Sequence, residues 1–406
     1  MKKNIWQRLG PGFITGAADD DPSGIGTYSQ TGAQFGYSQL WLALFSFPFM
    51  TVVQEMCGRI GIVTGRGLSG VIRRHYAKPV LYVAVSLLMI ANTINIGADL
   101  GAMAAAGQLL LGVPFVAWLL AITVITLLLE IFVSYPRYAK FLKFLTLSLF
   151  AYVVTVFVVK QDWGEVAWST IVPSFSWHKE YILNIVAVLG TTISPYLFFW
   201  QASEEVEEAQ ELKKRSFLAE IKDMRIDTAI GMFFSNLVMF FIIVTTASTL
   251  GAHGITQVDT AATAAEALRP LAGNFAFALF AIGIIGVGLL AVPILAGSAS
   301  YAVVESLNLP GGLSKKWYEA KIFYGIIIIA TLVGVLINFL HIPPFTMLYY
   351  TAVMNGLVAP PLLLLILLIS NNKKIMGKHT NGRWSNILGG LIMLIMAAAG
   401  VLIFVL

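Results

Sequence analysis

The sequence predicts an all-α integral membrane protein of about eleven transmembrane helices, the first and sixth of them broken. They form two inverted repeats of five helices with one helix added. Three observations predict it. Apolar residues make up 58% of the chain and charged residues only 12%, with a mean hydropathy of +0.81, whereas soluble domains are about one-quarter charged. Apolar stretches of about 20 residues, long enough to cross the hydrocarbon as helices, recur along the chain. Two of these stretches, five helices apart, are interrupted by proline beside small polar residues.

The stretches run over about 9–33, 39–63, 79–110, 114–134, 141–160, 182–203, 228–250, 274–304, 319–339, 345–370 and 385–405. They make one membrane domain over 1–406, with repeat one at about 9–160, repeat two at about 182–370 and the extra helix at about 385–405. Orientation follows from Lys and Arg, which accumulate in cytoplasmic connections. Alternate connections hold all but Lys160, Lys179 and Arg269 of the 26 basic residues. With an odd number of helices, a multi-pass protein of the plasma (inner) membrane has its N-terminus in the cytoplasm and its C-terminus outside. The pI of about 9.1 follows from the same bias and needs no nucleic-acid partner. The opening MKKNIWQR lacks the apolar core and cleavage site of a signal peptide.

No soluble domain fits between the spans. The longest polar connection, EEVEEAQELKKRSFLAEIKDMRID (204–227), reads as a cytoplasmic helix with a solvated charged face. The external stretch 251–272, with TAATAAEAL, is expected to be helical and to cap an outer vestibule. The lone Cys57 excludes an internal disulfide and a cysteine metal cluster. His75, His178, His253, His341 and His379 fall in or beside connections, so no buried histidine pair is on hand for a metal or a proton relay. No GxxxxGK phosphate loop and no nucleophile elbow occurs, which disfavours ATP-driven pumping and hydrolysis by this chain. An enzyme is not expected, nor a cofactor.

The breaks carry the functional signal. In GAADDDPSGIGTY (16–28), Asp19, Asp20 and Asp21 stand about ten residues into an apolar span, followed by Pro22, Ser23 and Gly24. A charge at the bilayer centre costs about 2.5–3.5 kcal/mol on insertion scales. Proline removes a backbone donor and clashes with the preceding turn, so the helix unwinds there. The sixth span repeats the device in VLGTTISPYLFFW (188–200), with Thr191, Thr192, Ser194 and Pro195. Unwound backbone at membrane depth survives only where protein buries it or water reaches it. In an inverted repeat the two breaks meet near the midplane, the sequence pointer to a secondary transporter's substrate site. A cation between the half-helices would balance the acids. Consecutive helical residues fan out by about 100°, so one or two of the three point inward. The alternative is a solvated, structural acid cluster at a helix mouth.

The chain resembles the Nramp family of divalent-metal transporters over almost its full length. GPGFITGAADDDPSGIGTYSQTGAQFGYSQLW (10–41) is similar to the family's first-helix signature, whose DPGN supplies an aspartate and an asparagine to the metal. GIVTGRGLSGVIRRHY (61–76), ALFAIGIIGVGLLAVPILAG (278–297) and NNKKIMG (371–377) resemble further family segments. The resemblance implies a LeuT-type inverted repeat. It also implies departures. Asp21 matches the signature aspartate, while Gly24 stands where the asparagine would be. In the sixth helix Ser194-Pro195-Tyr196 replaces the family's MPH, so thioether and histidine are both gone. Thr191 matches the position that offers a backbone carbonyl. The family's pair of third-helix acids is reduced to Asp99, with Ile96 at the other position, and Ala352 replaces a tenth-helix glutamine.

On this resemblance Asp21 is the central metal ligand, assisted by Asp20, Ser23, Ser194 and the carbonyls around Gly24 and Thr191. Asp19, Asp99 and Tyr196 belong to the proton or permeation path. Soft thioethers favour late transition metals, whereas carboxylate, hydroxyl, carbonyl and water suit magnesium and manganese. Magnesium keeps several waters, and Gly24 and Ser194 leave room for them. The pattern resembles Nramp-related magnesium transporters more than iron and manganese importers. The expected function is import of Mg2+ or Mn2+ by alternating access, as a monomer in the lipid bilayer, with weak or no proton coupling. The alternatives are a proton-coupled Mn2+ or Fe2+ symporter, or a transporter of a non-metal solute on the same fold. Among other polar residues, Asp99 is either functional or bonded to a neighbouring helix. Gln54, Glu55 and Glu130 read as structural or interfacial, Asp227 as the start of the seventh helix, and GAMAAAG (101–107) as packing surface.

Overall fold

The computed structural model describes residues 10–133, 146–211 and 217–406. Lys2, Lys3, Arg8, Arg137, Lys140, Lys143, Lys213, Lys214 and Arg215, all assigned above to cytoplasmic connections, lie outside the described residues, as does the first part of the span 141–160. The described residues form helices and no strand. The first half of the chain holds α1 (Pro11–Asp19), α2 (Pro22–Phe35), α3 (Trp41–Thr64), α4 (Leu68–His75), α5 (Lys78–Leu111), α6 (Phe115–Phe132), α7 (Phe150–Val158) and α8 (Trp163–Ile171). The second half holds α9 (Lys179–Thr192), α10 (Pro195–Glu211), α11 (Phe217–Thr249), α12 (Ala261–Glu266), α13 (Arg269–Ala272), α14 (Ala276–Leu307), α15 (Lys321–Ile337), α16 (Pro344–Asn371), α17 (Lys373–Met376) and α18 (Arg383–Val405).

Each predicted span has a helix or a helix pair in its place, the fifth being described only from Thr146. Among the described residues, eight spans are long and apolar enough by themselves to cross a membrane: α5, α6, the α9–α10 pair, α11, α14, α15, α16 and α18. Exposed apolar residues mark the outer wall. They include Leu120, Val124 and Leu128 on α6, Ile329, Leu332 and Leu336 on α15, and Leu391, Leu394, Val401 and Phe404 on α18. The α9–α10 pair is almost wholly enclosed. The first broken helix is enclosed too: α1 packs on α10, α11 and α14, and α2 packs on α5, α9, α11 and α16.

Both breaks fall where the sequence puts them. Asp20 (φ −85°, ψ 40°) ends α1, Asp21 (φ −62°, ψ 172°) turns extended, and Pro22 opens α2. Ile193 (φ −119°, ψ 56°) ends α9, and Pro195 opens α10. Proline is at home in the first helical turn, where its missing N–H has no carbonyl to meet and its fixed φ suits the helix. Each proline therefore starts the second half of its span.

Two local expectations are corrected. The connection 204–227 is not a separate helix. On its described residues α10 runs on to Glu211 and α11 starts at Phe217, so the membrane helices themselves extend past the apolar core. Asp227 does not begin the seventh span but sits ten residues into α11, where its Oδ2 accepts the Gly12 N–H at 2.7 Å. It caps α1, a helix whose own N-cap, Gly10, has no side chain to do so. The stretch 251–272 holds only the short α12 and α13 and a 3-10 turn, Gly251–His253. It is nonetheless tied to α2, because Gln30 Nε2 donates to the Thr256 carbonyl at 3.0 Å and Gln30 Oε1 accepts the Val258 N–H at 2.8 Å. Glu55 is structural as read: it pairs with Arg59 one turn on and with Arg225 of α11.

Small residues set the helix crossings. Gly12 and Gly16, one turn apart on α1, lie against Thr228 and Gly231 of α11, and a Cβ on Gly16 would fall on the Gly231 carbonyl. A Cβ on Gly97 of α5 would come within 2.5 Å of the Gly334 carbonyl of α15. In the GAMAAAG run, Gly101 touches Asn338 and Gly107 the Trp118 ring. Without a hydrophobic drive between helices in lipid, such close approach is what holds them together. Gly16→Val should push α1 off α11, at a cost of about 1–3 kcal/mol for overpacking. The expected outcome is a clearly lower melting temperature of the purified protein in detergent. An unchanged temperature would mean that α1 does not seat on α11 in this way.

Candidate metal centre

The break between α1 and α2 builds the site around Asp21. As N-cap of α2 its Oδ1 accepts the Gly24 N–H at 2.8 Å and the Ser23 hydroxyl at 2.6 Å. This is the usual N-cap arrangement, in which a side-chain oxygen takes a free donor of the first turn. Its Oδ2 faces other helices. Asn95 Nδ2 of α5 donates to it at 3.2 Å, and the Tyr196 hydroxyl of α10 lies 3.4 Å away. The same hydroxyl is 2.9 Å from the Ala18 carbonyl, the shorter contact, so Tyr196 also ties α10 to the end of α1.

Asn95 links two carboxylates. Its Nδ2 also donates to Asp99 Oδ2 at 3.1 Å, and its Oδ1 accepts from Asn355 Nδ2 of α16 at 3.1 Å. Asp21, Asn95, Asp99 and Asn355 therefore form one buried network across α2, α5 and α16. Asn95 and Asn355 are not among the candidates read from the sequence. For Asn95 a signal existed, since it lies one turn before Asp99 and shares its face. Asn355 lies on the same span as Ala352, and nothing in its spacing marks it.

The three consecutive acids separate. Ser235 of α11 donates to Asp19 Oδ2 at 2.6 Å and lies 3.4 Å from Asp20 Oδ1, so Asp19 and Asp20 turn towards α11 while Asp21 turns towards α5 and α10. The separation comes from the break itself, because the chain leaves the helix at Asp20 and is extended at Asp21. The second break contributes less directly. Thr191 Oγ1 is 3.3 Å from the Ser23 hydroxyl, which brings the two breaks together. The Ser194 hydroxyl closes the last turn of α9 instead, at 2.8 Å from the Gly190 carbonyl and 2.7 Å from that of Thr191. Gly24 is tightly held, since a Cβ there would lie 3.1 Å from the Asp19 carbonyl and 3.4 Å from Thr191 Oγ1.

The electrostatics are one-sided. Asp19, Asp20, Asp21 and Asp99 are all at most 4% exposed. Among the described residues, none of them forms an ion pair with Lys, Arg or His. Asp19 Oδ1, Asp99 Oδ1 and the Tyr28 hydroxyl have no hydrogen-bond partner among the described residues. Buried polar groups are nearly always paired, and buried charges are paired or hold a cation. Oxygen donors of this kind suit a hard cation or protons. Among the described residues no three Asp, Glu, His or Cys side chains converge on one point as they would around a metal ion. One or two carboxylates with neutral oxygens are what the site offers.

The comparisons with known proteins bear on this geometry. A sequence model of the family described as Nramp, natural resistance-associated macrophage protein-like, matches residues 12–406. The chain is 25% identical over 400 residues to the divalent metal cation transporter MntH of Clostridium acetobutylicum, covering 96% of this chain and 88% of the relative. It is also 25% identical over 398 residues to MntH of Klebsiella pneumoniae (strain 342), covering 96% and 92%. Among solved structures it is similar to the Eremococcus coleocola manganese transporter, with a TM-score of 0.78 at 19% identity over 98% of this chain and 87% of that one. A weaker likeness joins it to the inward-facing conformation of Mhp1, with a TM-score of 0.59 at 13% identity over 97% and 89%. The structural likenesses establish the fold, the LeuT-type arrangement expected from the sequence. The family match, which spans nearly the whole chain and includes both helix breaks, establishes more: the chain belongs to the Nramp family.

Proposed function

We propose that this chain is a secondary transporter, not an enzyme, that imports a divalent metal cation by alternating access, as a monomer with a cytoplasmic N-terminus. One observation carries the reading. Asp21 caps a half-helix in the interior of a membrane protein, is joined through Asn95 to Asp99, and has no basic partner among the described residues. A cation completes such a site. The naming of the relatives as divalent metal cation transporters and of the structural neighbour as a manganese transporter supports a divalent ion. Asp21 is the central ligand, with Asp20, Ser23, Ser194 and the carbonyls near Gly24 and Thr191 contributing as the half-helices move. Asp19, Asp99 and Tyr196 line the path beside it.

Asp21→Asn tests the assignment. Asparagine caps a helix about as well as aspartate, so the fold is kept while the charge is removed. Ion binding measured by calorimetry on the purified variant should be lost. Undiminished binding would sink Asp21 as the ligand.

We further propose a preference for Mg2+ or Mn2+ over softer ions. The candidate donors are oxygens alone, and oxygen donors favour hard ions that keep part of their water. Ser194→Met adds a thioether and frees the Gly190 and Thr191 carbonyls from the serine hydroxyl. Competition of Cd2+ against Mg2+ uptake in proteoliposomes should shift by about tenfold towards Cd2+, equivalent to ~1.4 kcal/mol. A constant ratio would confine Ser194 to its role at the end of α9.

Proton coupling is proposed to be weak or absent. Tyr196 stands where the family resemblance implies a histidine, and an unperturbed phenol titrates near 10, far from neutral. Asp99 lacks the acid that Ile96 replaces. In proteoliposomes loaded with a pH dye at zero membrane potential, ion uptake should leave the lumen pH unchanged. Acidification that follows uptake and disappears in Asp99→Asn would establish proton-coupled symport instead.

A further inference from the structure

At one end of the molecule, away from the acids, a cleft of about 540 Å³ opens between the C-terminal end of α4, the first turns of α5 and the C-terminal end of α14. Its lining includes Arg66, Arg73, Arg74 and Lys78 and no Asp or Glu. All four cations are exposed, and among the described residues none is in an ion pair. Glu305, next to lining residue Ser306, accepts from the Ser203 hydroxyl at 2.8 Å and the Gly70 N–H at 3.1 Å instead.

The fold explains only part of this charge. Arg73 and Arg74 lie in the last turn of α4, where a cation meets the negative end of the helix dipole. Lys78 stands at the opposite kind of position, the first turn of α5, where the dipole repels a cation. Arg66 precedes α4 and caps nothing. Glu305 beside the cleft offsets part of the Arg66 charge, but Arg73, Arg74 and Lys78 have no ion-pair partner among the described residues, so the cleft keeps a positive surplus that calls for an anion.

The rim says what kind of anion. Leu81, Tyr82 and Leu307 line the same cleft. From there Tyr82, Ser86 and Ile90 continue at one-turn spacing along the exposed face of α5, Tyr82 at 55% and Ile90 at 57%. A basic cleft that runs into an apolar helix face fits a phosphate with acyl chains attached. Basic pockets between helices at the cytoplasmic surface hold anionic headgroups in this way, each Lys or Arg adding attraction. We propose that this cleft is a binding site for the phosphate headgroup of an anionic phospholipid, in the leaflet that faces the basic connections, with an acyl chain along Tyr82 and Ile90.

The test uses the full-length protein in detergent, titrated with phosphatidylglycerol or phosphatidylcholine and read by native mass spectrometry. Phosphatidylglycerol adducts should exceed phosphatidylcholine adducts by about tenfold. The combined variant Arg73→Gln, Arg74→Gln and Lys78→Gln should remove that excess, and Lys78→Gln alone should reduce it if the triple variant does not elute as a single species. Lys315→Gln with Lys316→Gln, exposed and outside the cleft, should keep it. Inorganic phosphate at millimolar concentration should displace none of the lipid. Equal binding of the two lipids, an excess that survives the cleft variants or is lost in the control, or displacement by phosphate would each overturn the proposal, the last by making the ligand free phosphate.

Discussion

The structure depends on a carboxylate that has two tasks at one point. Asp21 must cap α2, because Pro22 cuts the first span in two and leaves the N–H groups of the new helix without partners. In water that cap would be ordinary. At membrane depth the charge of the same carboxylate is expensive unless donors or a cation surround it. The neighbouring helices are arranged accordingly: α5 presents Asn95 to Oδ2, α10 brings the Tyr196 hydroxyl within reach, and Ser23 takes the other oxygen. The break that creates the need for a cap thus also creates a polar interior, in which Asp19 Oδ1 and Asp99 Oδ1 are left without a hydrogen-bond partner among the described residues.

Keeping that interior closed requires close helix contacts, and these come from glycine rather than from large apolar side chains. Gly12 and Gly16 let α1 settle on Thr228 and Gly231 of α11, which puts Ser235 beside Asp19 and Asp227 over the first N–H of α1. Helix α1 is therefore held at both ends by one helix, α11. Larger residues at the crossing would move Ser235 and Asp227 away together. Packing and electrostatics at this break are one problem with one solution.

The two halves of the chain do not contribute equally to the site. From the first break come a cap, three acids and a hydroxyl. From the second come Thr191, which meets Ser23, and Tyr196, which meets the end of α1. Ser194 serves its own backbone. The second break acts mainly as a wall and a joint against which the first is placed. The contact of α10 with Asp21 is long, 3.4 Å from the Tyr196 hydroxyl, while those within α2 are short, 2.6 and 2.8 Å.

The sequence alone determined the membrane class, the places of the apolar helices among the described residues and both breaks, since hydropathy, length and proline are local properties that act through the backbone. It also marked Asp21 and Asp99, because an acid inside an apolar span has no cheap alternative to a functional or paired role. The division of Asp19 and Asp20 from Asp21 was not given by the helical fan: the chain turns extended at Asp21, and Ser235, 214 residues on from Asp21, draws Asp19 and Asp20 to one side. Asn355, the capping of α1 by Asp227 and the extension of α10 and α11 beyond the apolar core were decided by tertiary structure. Each depends on which helices lie side by side, and a hydrogen bond between segments 200 residues apart leaves no period in either of them.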